Sequence, residues 1–294
     1  MTSQHYPVMS NEVIRLFEAT GKKCFIDCTL GMGGHSRRIL ESFPSAHIIA
    51  LDVDSHSLNQ AKSNLSTFGE RVEFHCLNFT NLFKQIDLSG KEISGILVDP
   101  GISMVQLKDP ARGFSHSLEG RLDMRKDQNG ERTAYDVVNG YSEKQLTEMF
   151  NNYGEIRQAP LLAKKIIETR LFNPIETTTQ LAAVIEKFYK WRPKKGRTHP
   201  ASNVFQALRI EVNQELEGVA EFIRQAPEYL TKGACFIFLT FHSVEDRMVK
   251  QGFMQLKRED KLEIIKPFPA IPSEEEVAEN LPSRSVKLRA GVIL

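Results

Sequence analysis

The segment KCFIDCTLGMGGHSRRILESFPSAHIIALDVD, residues 23–54, predicts the fold of this chain. Its order is a short apolar strand, a glycine-rich turn, a helix, and a second apolar strand that ends in aspartates. Gly31, Gly33 and Gly34 permit positive φ and a close approach of a ligand to the backbone. The apolar run at 47–51 is typical of a parallel strand covered on both faces. We therefore predict a βαβ unit of the kind that binds a nucleoside.

The acidic residues at the end of this unit suggest which nucleoside it binds. Asp52 and Asp54 follow the glycines by about twenty positions, where a carboxylate can bind both ribose hydroxyls. The third glycine of the dinucleotide fingerprint is absent, so a pyrophosphate is not expected. We predict S-adenosyl-L-methionine, with its amino-acid end against the glycine turn and its ribose at Asp52. The alternative is an ordinary βαβ unit whose glycines serve only the turn.

Composition places the chain among globular enzymes. Its 294 residues are 41% hydrophobic and 26% charged, enough for one large domain with an insertion. The net charge of +1 implies that any nucleic-acid surface comes from local clustering. The apolar runs are too short to cross a bilayer and the first residues lack signal-peptide features, which predicts a cytoplasmic protein. The four cysteines lack metal-ligand spacing, so we predict reduced thiols and no metal site: Cys24, Cys28, Cys76 and Cys235.

Three further strands are predicted to end at the same edge of the sheet, because the carboxyl ends of parallel strands meet there. The strand at 72–79 ends in Phe79, which either holds an adenine or belongs to the core. The strand that begins near residue 94 is followed by Asp99. The strand at 234–243 carries His242 near its end, which either positions a base and takes a proton or is a satisfied core histidine.

Asp99 is the candidate catalytic residue. Methylation of an exocyclic amine is difficult because the nitrogen lone pair is delocalised into the ring. An aspartate oxygen and a backbone carbonyl that accept both amine hydrogens favour the pyramidal, nucleophilic nitrogen. The DPGI segment shares only its first two residues with the Asp-Pro-Pro-Tyr loops of amino-methyltransferases, and a turn-forming Asp-Pro pair is the alternative.

The alternation of strands and helices stops in the middle of the chain. We predict a methyltransferase domain at 1–105 and 205–294, with an all-helical substrate-recognition domain inserted at 106–204. Within the insertion, Ser142 and Gln145 predict a capping box. Beyond it, apolar residues spaced three or four apart at 205–223 predict one long amphipathic helix. At the start of the chain, Ser10 or Asn11 is predicted to cap the first helix.

The clearest basic cluster is KWRPKKGRTHP, residues 190–200. Its cations are suited to phosphates and its aromatic residues to stacking on exposed bases. The alternative is a solvated basic loop. The cations that we assign to RNA contact are Arg192, Lys194, Lys195 and Arg197.

Ten motifs in order resemble the RsmH (MraW) family of bacterial ribosomal RNA methyltransferases across nearly the whole chain. They are HYPVMSNEV, GMGGHS, NF, QL, RGFS, LDMRKD, YGE, HPASNVFQALRIEVN, FHSVEDR and RSVKLR. The resemblance implies a class I methyltransferase with a seven-stranded, doubly wound sheet and an inserted helical domain. It also implies methylation of the N4 amine of a cytidine in the decoding region of 16S ribosomal RNA within the small ribosomal subunit.

The same resemblance implies which residues contact S-adenosyl-L-methionine. They are Gly33, Gly34, His35, Asp52, Phe79, Asp99 and Gln106, of which His35 and Gln106 rest on the resemblance alone. We also assign Arg112 and Arg125, in the RGFS and LDMRKD motifs, to RNA contact. The chain departs from the family pattern at Pro100, Met104, Lys126 and Asn203.

The same residues are compatible with other functions. A methyltransferase on another RNA or DNA amine would use the same site. A nicotinamide-dependent oxidoreductase would share Asp52 but not the glycine pattern. A non-catalytic RNA-binding protein on the same scaffold would keep the basic cluster without binding the methyl donor. The sequence leaves the oligomeric state open, a homodimer included.

Overall fold

A computed structural model describes residues 7–194 and 197–294 of the chain. The chain divides into two compact units, one formed by the residues up to Gly101 together with Leu216–Leu294, and one formed by Ile102–Glu215. The predicted limits of the insertion, 106 and 204, lie inside the second unit. That unit extends to Glu215 and therefore also includes the first part of the helix predicted at 205–223.

The elements in chain order are α1 (Ser10–Glu18), β1 (Cys24–Asp27), α2 (Gly34–Ser42), β2 (His47–Asp52), α3 (Ser55–Asn64), β3 (Val72–Cys76), α4 (Leu82–Gln85), β4 (Ile93–Val98), α5 (Met104–Lys108), α6 (Ala134–Gly140), α7 (Glu143–Gly154), α8 (Ala159–Arg170), α9 (Thr178–Tyr189), α10 (Ala201–Asn213), α11 (Val219–Gln225), β5 (Cys235–Thr240), α12 (Ser243–Arg258), β6 (Leu262–Ile264), α13 (Glu274–Glu279) and β7 (Lys287–Ile293). None of the helices within 7–194 and 197–294 is long and apolar enough to span a membrane.

The first unit contains one seven-stranded sheet with the order β3-β2-β1-β4-β5-β7-β6. Strands β1 to β5 are parallel, whereas β7 runs antiparallel to β5 and to β6. The strand order reverses between β1 and β4, and ligands of open α/β sheets bind at the carboxyl ends of the strands on either side of such a point. The mostly parallel, doubly wound sheet that the sequence predicts is confirmed.

Alternate residues of the central strands face opposite sides of the sheet, so that both faces are buried. Phe25 and Ile48 belong to one core cluster, and Ile26 and Ile49 belong to the other. Each such side chain contributes about 1.5–3 kcal/mol to the stability of the fold. Gly95 in β4 allows helix α1 to lie close to the sheet, because a Cβ there would stand 2.5 Å from the ring of Phe17.

Helix α1 does not begin as predicted. Its N-cap is Met9, which has a φ of 51° and makes no side-chain capping hydrogen bond, while Ser10 lies inside the helix. The Met9 N–H donates instead to Oε1 of Glu276, in α13, at 2.5 Å. A carboxylate far along the chain therefore replaces the local cap that we expected from Ser10 or Asn11.

The second unit is helical and has its own core, formed mainly by the apolar faces of α6 to α10. The predicted capping box is confirmed, because Ser142 Oγ accepts the Gln145 N–H and Gln145 Oε1 accepts the Ser142 N–H. Thr133 with Asp136 and Thr177 with Gln180 form further boxes at α6 and α9. Such boxes satisfy N–H groups that a helix leaves unpaired at its start.

The prediction of one long helix over 205–223 is wrong. Helix α10 ends at Asn213 and α11 begins at Val219, because Gln214 and Gly218 adopt left-handed φ values of 50° and 73°. The break turns the Glu215 carboxylate inward, where it lies 2.7 Å from Lys126 Nζ and 2.9 Å from Arg209 Nη2. Burial opposes the charge, but these two cations lower the pKa of Glu215 to about 2.

This ion-pair cluster predicts a pH-dependent contribution to stability. A carboxyl group with a lowered pKa stabilises the folded state above its usual pKa, and the contribution is lost as the pH falls towards 2. We expect Glu215→Gln to lower the free energy of unfolding by about 3 kcal/mol at pH 7, as measured by urea titration. The two proteins should converge near pH 2. Glu217→Gln, at an exposed position, is the control; an equal loss at both pH values would contradict the prediction.

Candidate active site

The glycine turn between β1 and α2 has the backbone that the sequence predicts. Gly31 and Gly33 have positive φ values of 52° and 82°, and the Gly33 N–H donates to the Leu30 carbonyl oxygen at 2.8 Å. A Cβ at Gly33 would stand 2.9 Å from Leu65, whereas one at Gly31 would meet no atom within 4 Å. Glycine is therefore required at Gly33 for both its φ and its space, and at Gly31 for its φ alone.

Asp52 ends β2 and binds the glycine turn directly. Its Oδ2 accepts the Gly31 N–H at 2.7 Å, and its Oδ1 accepts the Asp54 N–H at 2.9 Å. A carboxylate oxygen can accept more than one hydrogen bond, so both oxygens of Asp52 can also receive ribose hydroxyls. These backbone contacts hold the carboxylate in one orientation beside the turn.

Asp54 has a different role from its neighbour. It is 1% exposed and caps α3, where it accepts the His56 N–H at 3.0 Å and the Ser57 hydroxyl at 3.1 Å. The structure therefore separates two aspartates that the sequence places side by side. Asp52 is the candidate ligand of the ribose, and Asp54 holds the start of α3.

Asp99 and His35 lie together where β4 and the first turn of α2 meet. His35 Nε2 is 3.4 Å from Asp99 Oδ2, and the two side chains are 8% and 20% exposed. The Asp99 N–H donates to Thr29 Oγ1 at 2.6 Å, which fixes the chain after β4 against the chain after β1. The sequence placed both residues at this site, Asp99 by its position after a strand and His35 by family resemblance.

The Asp99–His35 pair contains polar atoms that make no hydrogen bond within the described chain. Asp99 Oδ1 and both ring nitrogens of His35 are buried and have no hydrogen-bond partner in the described ranges. Such an atom costs about 1–3 kcal/mol when it stays unsatisfied. The site is thus suited to a polar ligand, and its acidic and imidazole groups fit the hydroxyl and ammonium groups of S-adenosyl-L-methionine.

Asp27 is a buried acid that the sequence analysis missed. Its Oδ2 accepts the Ser36 hydroxyl at 2.7 Å, and its Oδ1 accepts the Thr29 N–H at 3.2 Å. Burial raises the pKa of Asp27 above its usual value, although the Ser36 hydrogen bond and the charge of His35 oppose the rise. Asp27 therefore ties β1 to α2; a polar residue at the end of an apolar strand was the signal available for it.

Phe79 and His242 have structural contacts that account for them. Phe79 is 9% exposed and packs edge-to-face on Phe222 and Phe238, with ring centroids 5.0 and 6.4 Å apart. His242 is the N-cap of α12, and its Nδ1 accepts the Glu245 N–H at 3.3 Å. These contacts give each side chain a structural role, and contact with a ligand stays a prediction for both.

A buried ionic cluster holds α12 against β7 just behind His242, and the sequence analysis did not predict it. Asp246 accepts hydrogen bonds from Arg289 Nε at 2.8 Å and from Lys287 Nζ at 3.0 Å. Burial opposes its charge, but these two donors keep the pKa of Asp246 below its usual value. The cluster joins the FHSVEDR and RSVKLR motifs into one supporting structure.

In the second unit, Gln106 and the two predicted RNA-binding arginines serve local folding. Gln106 is 7% exposed, and its Oε1 accepts the Ser103 N–H at 2.8 Å in the capping box of α5. Arg112 Nη2 donates to the carbonyl oxygens of Arg125 and Lys126, at 3.0 and 3.1 Å. Their contacts with cofactor and RNA stay predictions.

Arg125 is engaged through every nitrogen of its guanidinium. Nε and Nη2 donate to the two carboxylate oxygens of Asp123 at 2.9 and 2.6 Å. Nη1 donates to the carbonyl oxygens of Gln128 and Gly130 at 3.0 and 2.8 Å. The conformation of the loop before α6 therefore depends on this residue.

The basic segment after α9 is exposed where the structure describes it. Arg192, Lys194 and Arg197 are exposed, while Lys195 lies outside the described residues. The Arg197 guanidinium lies over the Trp191 ring at 4.8 Å, and the Trp191 ring meets His199 edge-on at 5.3 Å.

His199 anchors this segment. It stacks on His116 at 4.4 Å and lies 2.9 Å from Glu186 Oε1. An ordered aromatic base thus supports the exposed cations. Within residues 7–194 and 197–294, no group of three or more His, Cys, Asp or Glu residues has the arrangement of a metal site.

The sheet order, with its antiparallel β7, and the acidic site at the carboxyl ends of β2 and β4 define a class I methyltransferase fold. The chain belongs to the MraW methylase family, whose model matches residues 2–292. A methylase of this class takes its methyl group from S-adenosyl-L-methionine, and the residues around Asp52, His35 and Asp99 fit that donor.

Curated relatives support this assignment over nearly the full length. A Persephonella marina protein named ribosomal RNA small subunit methyltransferase H is 40% identical over 293 residues, covering 98% of each chain. Proteins of the same name from a Sulfurihydrogenibium species and from Clostridioides difficile are 42% and 39% identical, covering 98% and 99% of each chain. A solved rRNA methylase from Streptococcus thermophilus aligns at 10% identity over 99% of each chain with a TM-score of 0.43, too low to add to the assignment.

Proposed function

We propose that this enzyme methylates the exocyclic N4 amine of a cytidine in the decoding region of 16S ribosomal RNA. The observation that carries the proposal is identity of about 40% over nearly the whole chain to relatives named ribosomal RNA small subunit methyltransferase H. Asp99, whose buried Oδ1 has no hydrogen-bond partner among the described residues, supports an amine as the methyl acceptor. The proposed partner is therefore 16S ribosomal RNA in the small subunit, which puts the enzyme in the cytoplasm.

The donor supplies an electrophilic methyl group on a sulfonium, and the protein's part is to present the amine. Asp99 Oδ1 accepts one amine hydrogen, and a neighbouring backbone carbonyl accepts the other. Both hydrogen bonds strengthen as the nitrogen becomes pyramidal and positively charged, so they stabilise the transition state more than the ground state. Alignment of the two reactants supplies much of the remaining rate.

The departing proton does not require a strong base, because the nitrogen becomes acidic only as the methyl group arrives. Nδ1 of His242 accepts the Glu245 N–H, so the neutral ring carries its proton on Nε2. Protonation of Nδ1 would break the cap of α12. We therefore assign His242 to positioning the base through Nε2 and assign proton acceptance to water.

In this proposal the methyl donor is held by the βαβ unit. The glycine turn at Gly33 and Gly34 and the ring of His35 contact the amino-acid end, and Asp52 binds the ribose. Phe79 borders the adenine side, and Gln106 is a further proposed contact residue. The target cytosine has to leave its stack to reach Asp99, which favours an RNA position that is already open.

The test is methyl transfer from labelled S-adenosyl-L-methionine to small ribosomal subunits from a strain that lacks the endogenous enzyme. N4-methylated cytidine at a single decoding-region position, identified by mass spectrometry, is the expected product. Transfer to other RNA or to DNA, but not to these subunits, would overturn the substrate assignment, while the assignment as a methylase would stand. A parallel assay with naked 16S RNA shows whether the enzyme acts on the free RNA or on the assembled subunit.

We expect the basic segment to add affinity that depends on salt. Lys194 and Arg197 are exposed, so each can neutralise one phosphate, and their replacement by alanine should lower the slope of log affinity against log salt by about one to two units. RNA binding measured by filter retention at several salt concentrations checks this. The matched control replaces Lys187, a basic residue in the last turn of α9, by alanine. An unaltered slope after replacement of Lys194 and Arg197 would mean that the segment is a solvated loop.

A further inference from the structure

Glu12 lies in the first turn of α1, next to the part of the chain that covers the glycine turn. Pro7, just before α1, packs on Gly34, because a Cβ at Gly34 would stand 3.3 Å from the Pro7 side chain. Oε2 of Glu12 is buried and has no hydrogen-bond partner in the described chain. A carboxylate oxygen in this condition is costly unless a ligand binds it.

Glu276 is a second carboxylate at the same place. Its Oε1 accepts the Met9 N–H at 2.5 Å, so α13 holds the start of α1. Burial raises the pKa of the Glu276 carboxyl above its usual value, and the negative charge of Glu12 adds to the rise. The Met9 hydrogen bond and the charge of His35 oppose it. Glu276 therefore lies within electrostatic range of both Glu12 and His35.

Among the residues that the structure describes, no Lys, Arg or His forms an ion pair with Glu12 or Glu276. Arg38 reaches the same turn of α1, but its Nη2 donates to Asn11 Oδ1 at 2.7 Å. Two neighbouring carboxylates without a cation repel each other, and a cation bound between them removes that cost.

His35 is an independent indication of a ligand here. Its side chain is 8% exposed, and neither ring nitrogen has a hydrogen-bond partner in the described chain. The ring follows Gly34 directly, so it borders the surface against which we place the amino-acid end of the methyl donor. That end carries one ammonium group and one carboxylate.

We propose that Glu12 is a binding residue for the α-ammonium group of the methyl donor, and that Glu276 positions it by holding the start of α1 through Met9. The ammonium donates to the buried Oε2 of Glu12 and lies in the combined field of the two carboxylates. A charge-assisted hydrogen bond of this kind is among the strongest that proteins make. The inference rests on S-adenosyl-L-methionine as the donor and is independent of the RNA substrate.

The test compares two ligands that differ in the amino-acid end. S-adenosylhomocysteine has the ammonium group, and 5′-methylthioadenosine keeps the nucleoside and sulfur but lacks the ammonium. By isothermal titration calorimetry, Glu12→Gln is expected to weaken S-adenosylhomocysteine about 10- to 100-fold. Binding of 5′-methylthioadenosine should change less than about twofold. Glu18→Gln, at an exposed position of the same helix, should leave both ligands unaffected.

Glu276→Gln is the second variant. Its amide oxygen still accepts the Met9 N–H, so the start of α1 is kept while the charge is lost, and a smaller but still selective loss of S-adenosylhomocysteine is expected. Equal loss of both ligands in Glu12→Gln would mean a structural role, and no loss of either would mean that Glu12 does not contact the donor. Either result overturns the proposal. These titrations contain no RNA, so they succeed or fail independently of the substrate assignment.

Discussion

Replacement of Asp99 by alanine is expected to lower the turnover number about 100- to 1,000-fold, because one acceptor of the amine hydrogens is lost from the transition state. The side chain contributes one contact to the fold, from its Oδ2 to His35 Nε2 at 3.4 Å. Its Oδ1 has no hydrogen-bond partner in the described chain, and the contact to Thr29 uses the backbone N–H, which alanine keeps. Single-turnover methylation of small subunits with saturating donor measures the effect.

The accompanying variants separate catalysis from donor binding. Asp99→Asn keeps one acceptor oxygen but loses the charge, so it should lie between alanine and the wild type. The dissociation constant for S-adenosylhomocysteine should change less than about tenfold in both variants, because Asp52 and the glycine turn remain. Asp87→Ala removes an exposed carboxylate from the loop before β4 and should turn over normally. Unchanged turnover in Asp99→Ala would remove Asp99 from the mechanism.

Residues of the candidate site could be predicted from the sequence where a local sequence pattern gives their position. Gly33 and Asp52 lie in one contiguous βαβ unit, so strand and turn patterns located both. Asp99 follows a strand whose end has to meet the same edge of the sheet. The fold was predictable for the same reason, because buried parallel strands and capped helices leave local patterns in the chain.

For other residues, the sequence did not distinguish a ligand-binding role from a structural role, because both roles use the same types of side chain. Asp54 caps a helix although it stands two positions from Asp52. His242 caps α12, and Arg125 binds four oxygens of its own unit, although each has the residue type of a functional group. The residue type alone does not show the structural role, which becomes visible only from the spatial partners.

Long-range contacts also left no local signal. The residue that holds the start of α1, Glu276, is 267 positions from Met9, so sequence reasoning chose Ser10 or Asn11. The break after α10 at Gln214 interrupts an apolar pattern that continues on both sides. The break allows the buried pairing of Glu215 with Lys126 and Arg209. Of these two partners, Lys126 lies far away in the chain.

The second large effect is expected at Asp52. Asp52→Ala should weaken S-adenosylhomocysteine about 100- to 1,000-fold, since two charge-assisted hydrogen bonds to the ribose are lost. Part of this loss comes from the turn, because the Gly31 and Asp54 N–H groups lose their acceptor. Asp52→Asn separates the two contributions: its single oxygen keeps one backbone contact, and we expect a loss of about tenfold. Calorimetric titration of the ligand measures both variants.

Asp54→Asn is the matched control, because an asparagine oxygen can still accept the His56 N–H and cap α3. It should bind S-adenosylhomocysteine within about twofold of the wild type. If Asp54→Asn weakened the ligand as much as Asp52→Asn, the ribose would have to be reassigned to the buried aspartate, and the separation of roles between the two would be wrong. If neither mattered, the carboxyl end of β2 would not be the nucleoside site, and the ligand would have to bind through the glycine turn and Asp99 alone.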